Sequence, residues 1–172
     1  MPFLKASCYG QTRIIERLKT GIQKAKTDNE KLSALFSLCD QGYSLHPDTL
    51  MAYAQKAKVL AQKNNNLHDE VRAMYYISFA LTNKGLIDSS LNVANGCLQI
   101  LSNKINDPDL QANVQNQKGR CYVRKNQYKE AIDMGYKVID GAEKIKNTLL
   151  QMKGKTLIGW AYLEMSQLKD AL

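Results

Sequence analysis

A short glycine–tyrosine pattern recurs at a fixed interval along this chain. Gly119-x-x-Tyr122 returns 40 residues later as Gly159-x-x-Tyr162, and Ala131 follows twelve residues after the first glycine. Internal repeats of about 20–50 residues mark architectures in which each repeat is one supersecondary unit that packs against the next. The period therefore predicts a stack of helical hairpins.

Each repeat is predicted to contain two amphipathic helices, because its apolar residues recur at spacings of three and four. Asp107-Pro108 is an N-cap followed by proline at the first helical position. Gly85 and Asn126 tolerate the left-handed conformation that ends many helices. No strand is predicted. The predicted helices span 12–26, 29–43, 48–63, 68–84, 88–103, 108–125, 129–146 and 148–166, with a further one beginning at Lys169.

Small residues inside the helices predict close helix packing. Glycine within a helix costs about 1 kcal/mol relative to alanine. Gly119, Gly135 and Gly159 are therefore expected where two helix backbones approach each other. Ala54, Ala94 and Gly135 hold the same position in three successive second helices. We expect a crossing point there that admits only a small side chain.

The pattern resembles the tetratricopeptide repeat, whose motif has Leu-Gly-x-x-Tyr on the first helix and Ala-x-x-x-Phe on the second. The matching residues are Gly119, Tyr122, Ala131, Gly159, Tyr162 and Ala171. The departures are Leu38, Leu50, Ser78, Leu81 and Ser90, with Ala54, Ala94 and Gly135 at the aromatic position. The period of 40 to 41 exceeds that family's usual length of about 34, so an armadillo- or HEAT-like geometry remains an alternative.

The resemblance implies a fold and a division of the chain. The implied fold is an all-α, right-handed superhelical solenoid of antiparallel helix hairpins, with about eight helices. Residues 1–11 are predicted to be a leader remnant or a cloning scar, and residues 12–28 an N-terminal helix. The predicted repeats are 29–67, 68–107, 108–147 and a truncated 148–172. Because solenoids end in a polar capping helix, we expect an N-terminal fragment of a longer protein.

Composition excludes several classes of protein. Hydrophobic residues make up 44% of the 172 residues, which excludes a disordered chain. No run of about 18 apolar residues exists, so no membrane span is predicted. The net charge is +8, but the lysines are scattered and form no block of like charge. A basic solvated surface is the simplest interpretation, and specific nucleic-acid binding lacks a recognition helix with clustered basic residues.

Motifs for catalysis or metal binding are missing from the sequence. Four cysteines occur, without a C-x-x-C pair and without a histidine at ligand spacing, which argues against zinc. No nucleophile motif, phosphate loop or H-E-x-x-H segment is present. The sequence therefore predicts no catalytic residues, no metal and no cofactor. The cysteines are Cys8, Cys39, Cys97 and Cys121, of which the last three are expected to be small buried residues.

Repeats of the resembled family bind ligands along a concave face formed by their first helices. The resemblance implies ligand contacts at fixed offsets from the glycine position. The implied contact residues are Arg72, Tyr75, Phe79, Asn83, Asn113, Asn116, Arg120, Arg124, Lys153 and Trp160. Four of these are cationic, and Glu164 is the single acid at equivalent positions. An acidic peptide or a chain's terminal carboxylate is therefore the expected ligand. The alternative is that Tyr75 and Phe79 complete the core and that the arginines are solvated.

These observations favour a non-enzymatic peptide-binding module. A long-period repeat array resembles the sensor region of bacterial two-component histidine kinases and related regulators, which implies a sensory or scaffolding role in a larger signalling protein. The first alternative is self-association as a homodimer, and the less favoured one is nucleic-acid binding. Cys8-Tyr9-Gly10 resembles the tail of a secretory cleavage site, which favours a periplasmic or other extracytoplasmic location over a cytoplasmic one.

Overall fold

The protein is all-helical. A computed structural model describes the backbone of residues 3–170 and the side chains of residues 12–166. These residues form eight α-helices and one short 3-10 helix, without a strand. The helices are α1 (Phe3–Lys24), α2 (Asp28–Cys39), α3 (Pro47–Lys63), α4 (Leu67–Asn83), α5 (Ile87–Lys104), α6 (Pro108–Arg124), α7 (Tyr128–Lys144) and α8 (Thr148–Asp170), and the 3-10 helix is Gly42–Ser44.

The alternate helices α2, α4, α6 and α8 begin with the same capping interaction. In each, a side-chain oxygen of the residue before the helix accepts a hydrogen bond from the backbone N–H three residues later, at 2.9–3.2 Å. Such caps satisfy N–H groups that the helix itself leaves unpaired. The capping residues are Thr27, Asn66, Asp107 and Asn147, at intervals of 39, 41 and 40 residues. The sequence period is therefore visible in the structure as a repeated helix start.

Four helices also end alike. Asn65, Gly85, Asn126 and Lys146 have positive φ angles of 51–79°. The residue after each one donates its N–H to a carbonyl five residues back, at 2.9 Å. This is the hydrogen bond of the Schellman motif, in which a left-handed residue closes a helix. The predictions at Gly85 and Asn126 are confirmed.

Two helix ends differ from the sequence prediction near the N-terminus. α1 begins at Phe3 rather than 12, so it includes the backbone of the segment predicted as a leader remnant. α2 ends at Cys39 rather than 43, and the 3-10 helix follows it. Gly42 in that turn is buried, and a Cβ there would lie 3.3 Å from side-chain atoms of Leu50 and Phe79. The turn thus packs too tightly against the core to continue as α-helix.

α8 is longer than predicted. It continues through Asp170, so the described residues contain no helix break before Lys169. The loop residue Asn126 of the preceding repeat is replaced by Ser166, which does not favour the left-handed conformation. Ala171, the last residue matched to the repeat motif, lies outside the described residues, as do the side chains around Gly10.

The chain divides into two compact parts, which we call the N-terminal unit (residues 1–80) and the C-terminal unit (residues 81–172). The core of the N-terminal unit is rich in leucine and large aromatic residues. Phe36, Tyr76 and Phe79 are at most 8% exposed. The rings of Phe36 and Tyr76 lie 6.2 Å apart, and Tyr43 meets Phe79 edge-on at 4.8 Å. Large rings therefore fill the space between α2, α3 and α4.

In the C-terminal unit, α6, α7 and α8 pack closely through glycine. A Cβ on Gly119 would lie 2.3 Å from Leu157 Cδ2, and one on Gly135 would lie 2.4 Å from Ile158 Cγ1. A Cβ on Gly154 would lie 2.8 Å from the Gly135 carbonyl oxygen. The predicted approach of two helix backbones is confirmed at Gly135, where the Gly154 carbonyl oxygen lies 3.1 Å from the Cβ position, whereas Gly119 is packed against side chains. The one at Gly159 is wrong, because that residue is exposed and has no atom within 4 Å of a Cβ position.

Buried small residues occur in both units. Ala54 and Ala94 are fully buried, as their shared repeat position with Gly135 predicts. Cys39, Cys97 and Cys121 are buried free thiols. No helix of the described chain is long and apolar enough to cross a membrane.

Candidate functional site

Polar side chains connect α6 directly to α8. The Lys153 ammonium donates a hydrogen bond to Asn113 Oδ1 at 2.8 Å. The Asn113 amide in turn donates to the backbone carbonyl and the carboxylate of Asp109, both at 3.0 Å. Asn113 and Lys153 hold the same repeat position, 40 residues apart. The structure therefore brings together two of the residues predicted to line the ligand face.

The same network reaches the start of α8. Asn147 Nδ2 donates to the second carboxylate oxygen of Asp109 at 2.7 Å. Asn147 Oδ1 caps α8 by accepting from the Leu150 N–H at 3.1 Å. A single side chain therefore caps one helix and binds its neighbour, which fixes the N-terminal ends of α6 and α8 relative to each other.

An aromatic and cationic pair lies nearer the C-terminal end of α6. The Arg124 guanidinium is 5.5 Å from the centre of the Trp160 ring. Trp160 Nε1 donates to Glu164 at 2.9 Å, and the half-buried ring packs on the core beneath. Arginine over an indole contributes about 0.5–1 kcal/mol at an exposed site. The contact leaves both a flat apolar surface and an exposed cation at this end.

Asn116 and Arg120 lie between these two ends of α6, and both are half-buried. Asn116 Oδ1 is buried and accepts no hydrogen bond from any described residue. A buried acceptor without a donor is uncommon in folded proteins and costs about 1–3 kcal/mol. The unpaired Asn116 oxygen is therefore the most unusual polar atom of this surface.

Helical spacing places these residues on one side of α6 and α8. Residues three and four apart lie on the same helix face. We call this surface the α6–α8 polar face. It consists of Asp109, Asn113, Asn116, Arg120, Arg124, Lys153, Trp160 and Glu164. The face contains three cations and two carboxylates. The second carboxylate is Asp109, which was not predicted, so the face is less basic than the sequence predicts.

A buried polar network orients α6 beneath this face. Gln117 Nε2 donates to Thr82 Oγ1 at 2.6 Å, and the Thr82 hydroxyl lies 2.8 Å from that of Ser90. Cys121 Sγ completes the group at 3.2 Å from Thr82. All four side chains are at most 4% exposed. In a low-dielectric interior such bonds are costly to break, so the network fixes the rotation of α6.

The N-terminal unit places its predicted contact residues differently. Phe79 is 4% exposed and belongs to the core, which agrees with the alternative that it completes the core rather than contacts a ligand. The cause of this burial is the 3-10 turn after α2, whose Gly42 and Tyr43 pack against the Phe79 ring. Tyr75 is half-buried against Tyr76, with ring centres 4.9 Å apart.

Arg72 takes part in interactions within the N-terminal unit. Its guanidinium lies 3.4 Å from an Asp40 carboxylate oxygen and 4.4 Å from the centre of the Phe36 ring. Tyr76 also donates a hydrogen bond to Asp40. Burial, reinforced by that hydrogen bond, raises the pKa of Tyr76, and burial raises the pKa of Cys39 to about 12. Arg72 therefore braces α2 against α4. Asn83, by contrast, is exposed at the end of α4.

Sequence reasoning missed three residues that organise these surfaces. Asp40, Asp109 and Asn147 were not among the predicted site residues. Asn147 had a detectable signal, because it recurs with Asp107 and Asn66 at the repeat interval. Asp40 carried no comparable signal, since its partners Arg72 and Tyr76 lie more than 30 positions away.

The groups that the α6–α8 polar face presents are amides, cations, an indole and two carboxylates. Among the described residues, no three His, Cys, Asp or Glu side chains are grouped to hold a metal ion. Comparisons of the chain with protein-family models, with curated proteins and with solved structures give no significant match. Functional inference therefore depends on the geometry of this face.

Proposed function

We propose that this chain is a non-enzymatic peptide-binding repeat module that binds an extended acidic segment on the α6–α8 polar face. The observation that carries the proposal is the buried, unpaired Asn116 oxygen. It lies on α6 between the Asn113–Lys153 pair and the Arg124–Trp160 pair. A backbone N–H of a bound peptide is a donor of the right chemical kind for it, and reaches it once the half-buried Asn116 side chain turns toward the ligand.

The charges on the face favour an acidic ligand. Arg124 is exposed, and its guanidinium binds a carboxylate with two parallel hydrogen bonds. Trp160 adds a flat apolar surface, and Trp and Arg are the residue types most enriched among strong binding contacts. Glu164 accepts a hydrogen bond from the Trp160 N–H and forms no ion pair with Arg124 in the described part of the chain, so the guanidinium is available to a ligand carboxylate.

The proposal includes the arrangement of the repeats. We propose a right-handed solenoid of the tetratricopeptide type, in which each hairpin packs on the next. The recurring caps of α2, α4, α6 and α8 and the close packing of α6, α7 and α8 support it. A sensory or scaffolding role in a larger bacterial signalling protein, outside the cytoplasm, is proposed on the sequence resemblance alone.

Peptide selection followed by fluorescence titration tests the binding function. A displayed library of random extended peptides, with either terminus free, is selected on the full chain. Trp160 is the chain's single tryptophan, so its emission reports directly on the proposed face. Selected peptides are expected to be enriched in Asp and Glu or to end in a required free carboxylate.

Matched charge reversals locate the site. Arg124→Glu is expected to lower the affinity for the selected peptides by about tenfold or more, since a charge-assisted hydrogen bond contributes about 1.5–3 kcal/mol. Lys129→Glu makes the same charge change at an exposed position on α7 and is expected to bind within about twofold of wild type. Wild-type affinity in Arg124→Glu, or selection of peptides without acidic groups, would contradict the proposal.

A second candidate function is self-association through α8. Leu149, Met152, Tyr162 and Leu163 are each 49–62% exposed on this helix. Val123, the repeat equivalent of Leu163, is only 3% exposed because α7 and α8 cover it. Ala112, the equivalent of Met152, is also buried, whereas Asp109, the equivalent of Leu149, is exposed. Part of the exposed apolar side of α8 thus corresponds to a side that α6 buries, and a second copy of the chain would cover it.

Light scattering with size-exclusion chromatography tests this candidate. A dimer is expected at a protein concentration of about 100 µM, and Leu163→Glu should convert it to a monomer. Tyr136→Glu alters a similarly exposed side chain on α7 and should leave the dimer intact. A monomeric wild-type protein at that concentration excludes self-association and leaves the peptide-binding proposal unaffected.

A further inference from the structure

An apolar groove lies within the N-terminal unit, far along the chain from the α6–α8 polar face. It is lined by α1, α2 and α3 and has a volume of about 820 Å³. Ile22, Leu35, Val59 and Leu60 contribute apolar side chains to it. Val59 is 66% exposed, although it lies in the middle of a well-formed helix. The apolar lining is therefore not closed over by the described side chains.

One helix contributes an extended stripe to the lining of the groove. α3 contributes positions 52, 55, 56, 59, 60 and 63, which form one continuous stripe along the helix. From position 52 to position 63 the helix rises about 17 Å, or about three turns. A partner helix that packs in such a groove presents apolar residues at spacings of three, four and seven.

The polar lining of the groove is basic. Lys31, Lys56 and Lys63 contribute to it, and none of the lining residues is acidic. Lys63 is bonded to Asp28 at 2.9 Å. Lys56 lies 5.2 Å from the Tyr53 ring centre, and neither Lys31 nor Lys56 forms an ion pair with a described residue. Two ammonium groups thus border an apolar surface without a neutralising carboxylate.

We propose that this groove binds an acidic amphipathic helix of a partner protein. The apolar side of the helix would cover Val59 and Leu60. Lys56 and Lys63 are seven residues apart on α3, so acidic residues two helical turns apart on the partner would face both, with Lys56 unpaired among the described residues and Lys63 exchanging or sharing its bond to Asp28. A second copy of this chain is a poor occupant, because its net charge of +8 opposes a basic groove.

Selection from a displayed library of helical 18-residue peptides on the full chain tests the proposal. The enriched peptides are expected to be amphipathic and to carry Asp or Glu at a spacing of seven. Val59→Glu should lower the affinity for these peptides by at least tenfold. Lys56→Glu should lower it by about threefold to tenfold and remove its dependence on salt. Tyr136→Glu, at a similarly exposed position on α7, should bind as wild type.

Two further measurements distinguish the other occupants. Laurate and phosphatidylglycerol vesicles are titrated against wild type and Val59→Glu. The proposal would be overturned in favour of a lipid ligand by two results together. Laurate or the vesicles would bind tightly to wild type but not to Val59→Glu, and the library would yield no acidic helices. Enrichment of helices that bind Val59→Glu as well as wild type would also overturn it. Neither result bears on Arg124 and the α6–α8 polar face, since that site is tested by its own variant.

Discussion

The two units of this protein use the same helix caps but fill their cores differently. In the N-terminal unit, Phe36, Tyr76 and Phe79 are buried, and Leu38 holds the glycine position of the repeat with no exposed surface. In the C-terminal unit none of the described aromatic side chains is buried. There, the glycine position holds Gly119 itself, and helices approach until backbone and side chain touch.

The difference separates two roles of sequence in a repeat. Capping residues at intervals of 39 to 41 set where each helix begins in both units. Packing residues at the same repeat positions vary from Leu38 to Ser78 to Gly119. The period is therefore maintained by local hydrogen bonds, while each unit reaches a close-packed core in its own way. If so, the stability of the N-terminal unit depends on its buried aromatic rings, and the stability of the C-terminal unit depends on its glycine contacts.

The largest effect is expected from Phe79→Ala in the N-terminal unit. Removing a buried phenylalanine ring leaves a cavity and costs about 3–5 kcal/mol of unfolding free energy. Urea unfolding followed by circular dichroism measures the loss. Tyr43→Ala removes the ring that meets Phe79 edge-on but is itself 76% exposed, so only about 0.5–1.5 kcal/mol should be lost. Similar losses for the two variants would contradict the assignment of Phe79 to the core.

Gly154→Ala tests the glycine packing of the C-terminal unit. Its Cβ would lie 2.8 Å from the Gly135 carbonyl oxygen, which is backbone and cannot rotate away. Overpacking of this kind costs about 1–3 kcal/mol, more than the gain in helix propensity. Trp160 fluorescence during urea unfolding measures the change close to the substitution.

Gly159→Ala is the matched control on the same helix. No atom lies within 4 Å of the added methyl group, and α8 should gain about 0.5–1 kcal/mol from improved helix propensity. The two substitutions on α8 should therefore shift stability in opposite directions. A stabilising Gly154→Ala would show that α7 and α8 can separate at little cost and would remove the contrast between the two units.

Helix positions were largely predictable from the sequence because their determinants are local. Asp107, Gly85 and Asn126 act through hydrogen bonds or backbone conformation within a few residues, so composition alone identifies them. The end of α2 was not predictable in this way. Its 3-10 turn depends on Gly42 packing against Leu50 and Phe79, which requires the tertiary structure.

The candidate site shows the same limit. Phe79 and Trp160 hold one repeat position, and the resemblance assigned both to a ligand face. Trp160 is half-buried, whereas Phe79 is covered by the turn after α2. The repeat position of a residue predicts which helix face it lies on, but not which neighbouring residues cover that face. It also identified the Asn113–Lys153 pair without Asp109, whose carboxylate connects that pair to Asn147.

An effect of similar size to that of Gly159→Ala is expected at the polar contact on the edge of the aromatic core. Tyr76→Phe removes the hydroxyl that donates to Asp40 and should cost about 1 kcal/mol near neutral pH. Tyr136→Phe removes a hydroxyl from an exposed ring in the C-terminal unit and should change nothing measurable.

The pH dependence of Tyr76→Phe gives a sharper test of that contact. Burial raises the pKa of Tyr76 above 10, the ordinary value for tyrosine. Above pH 10 the unfolded chain releases this proton while the folded chain retains it, so the stabilisation is complete below pH 10 and is lost as pH rises. Wild type should therefore lose stability between pH 10 and 11 more steeply than Tyr76→Phe in urea titrations. Parallel pH profiles would show that the hydroxyl is solvated. The N-terminal unit would then lack a buried polar contact comparable to the Thr82–Gln117 hydrogen bond of the C-terminal unit.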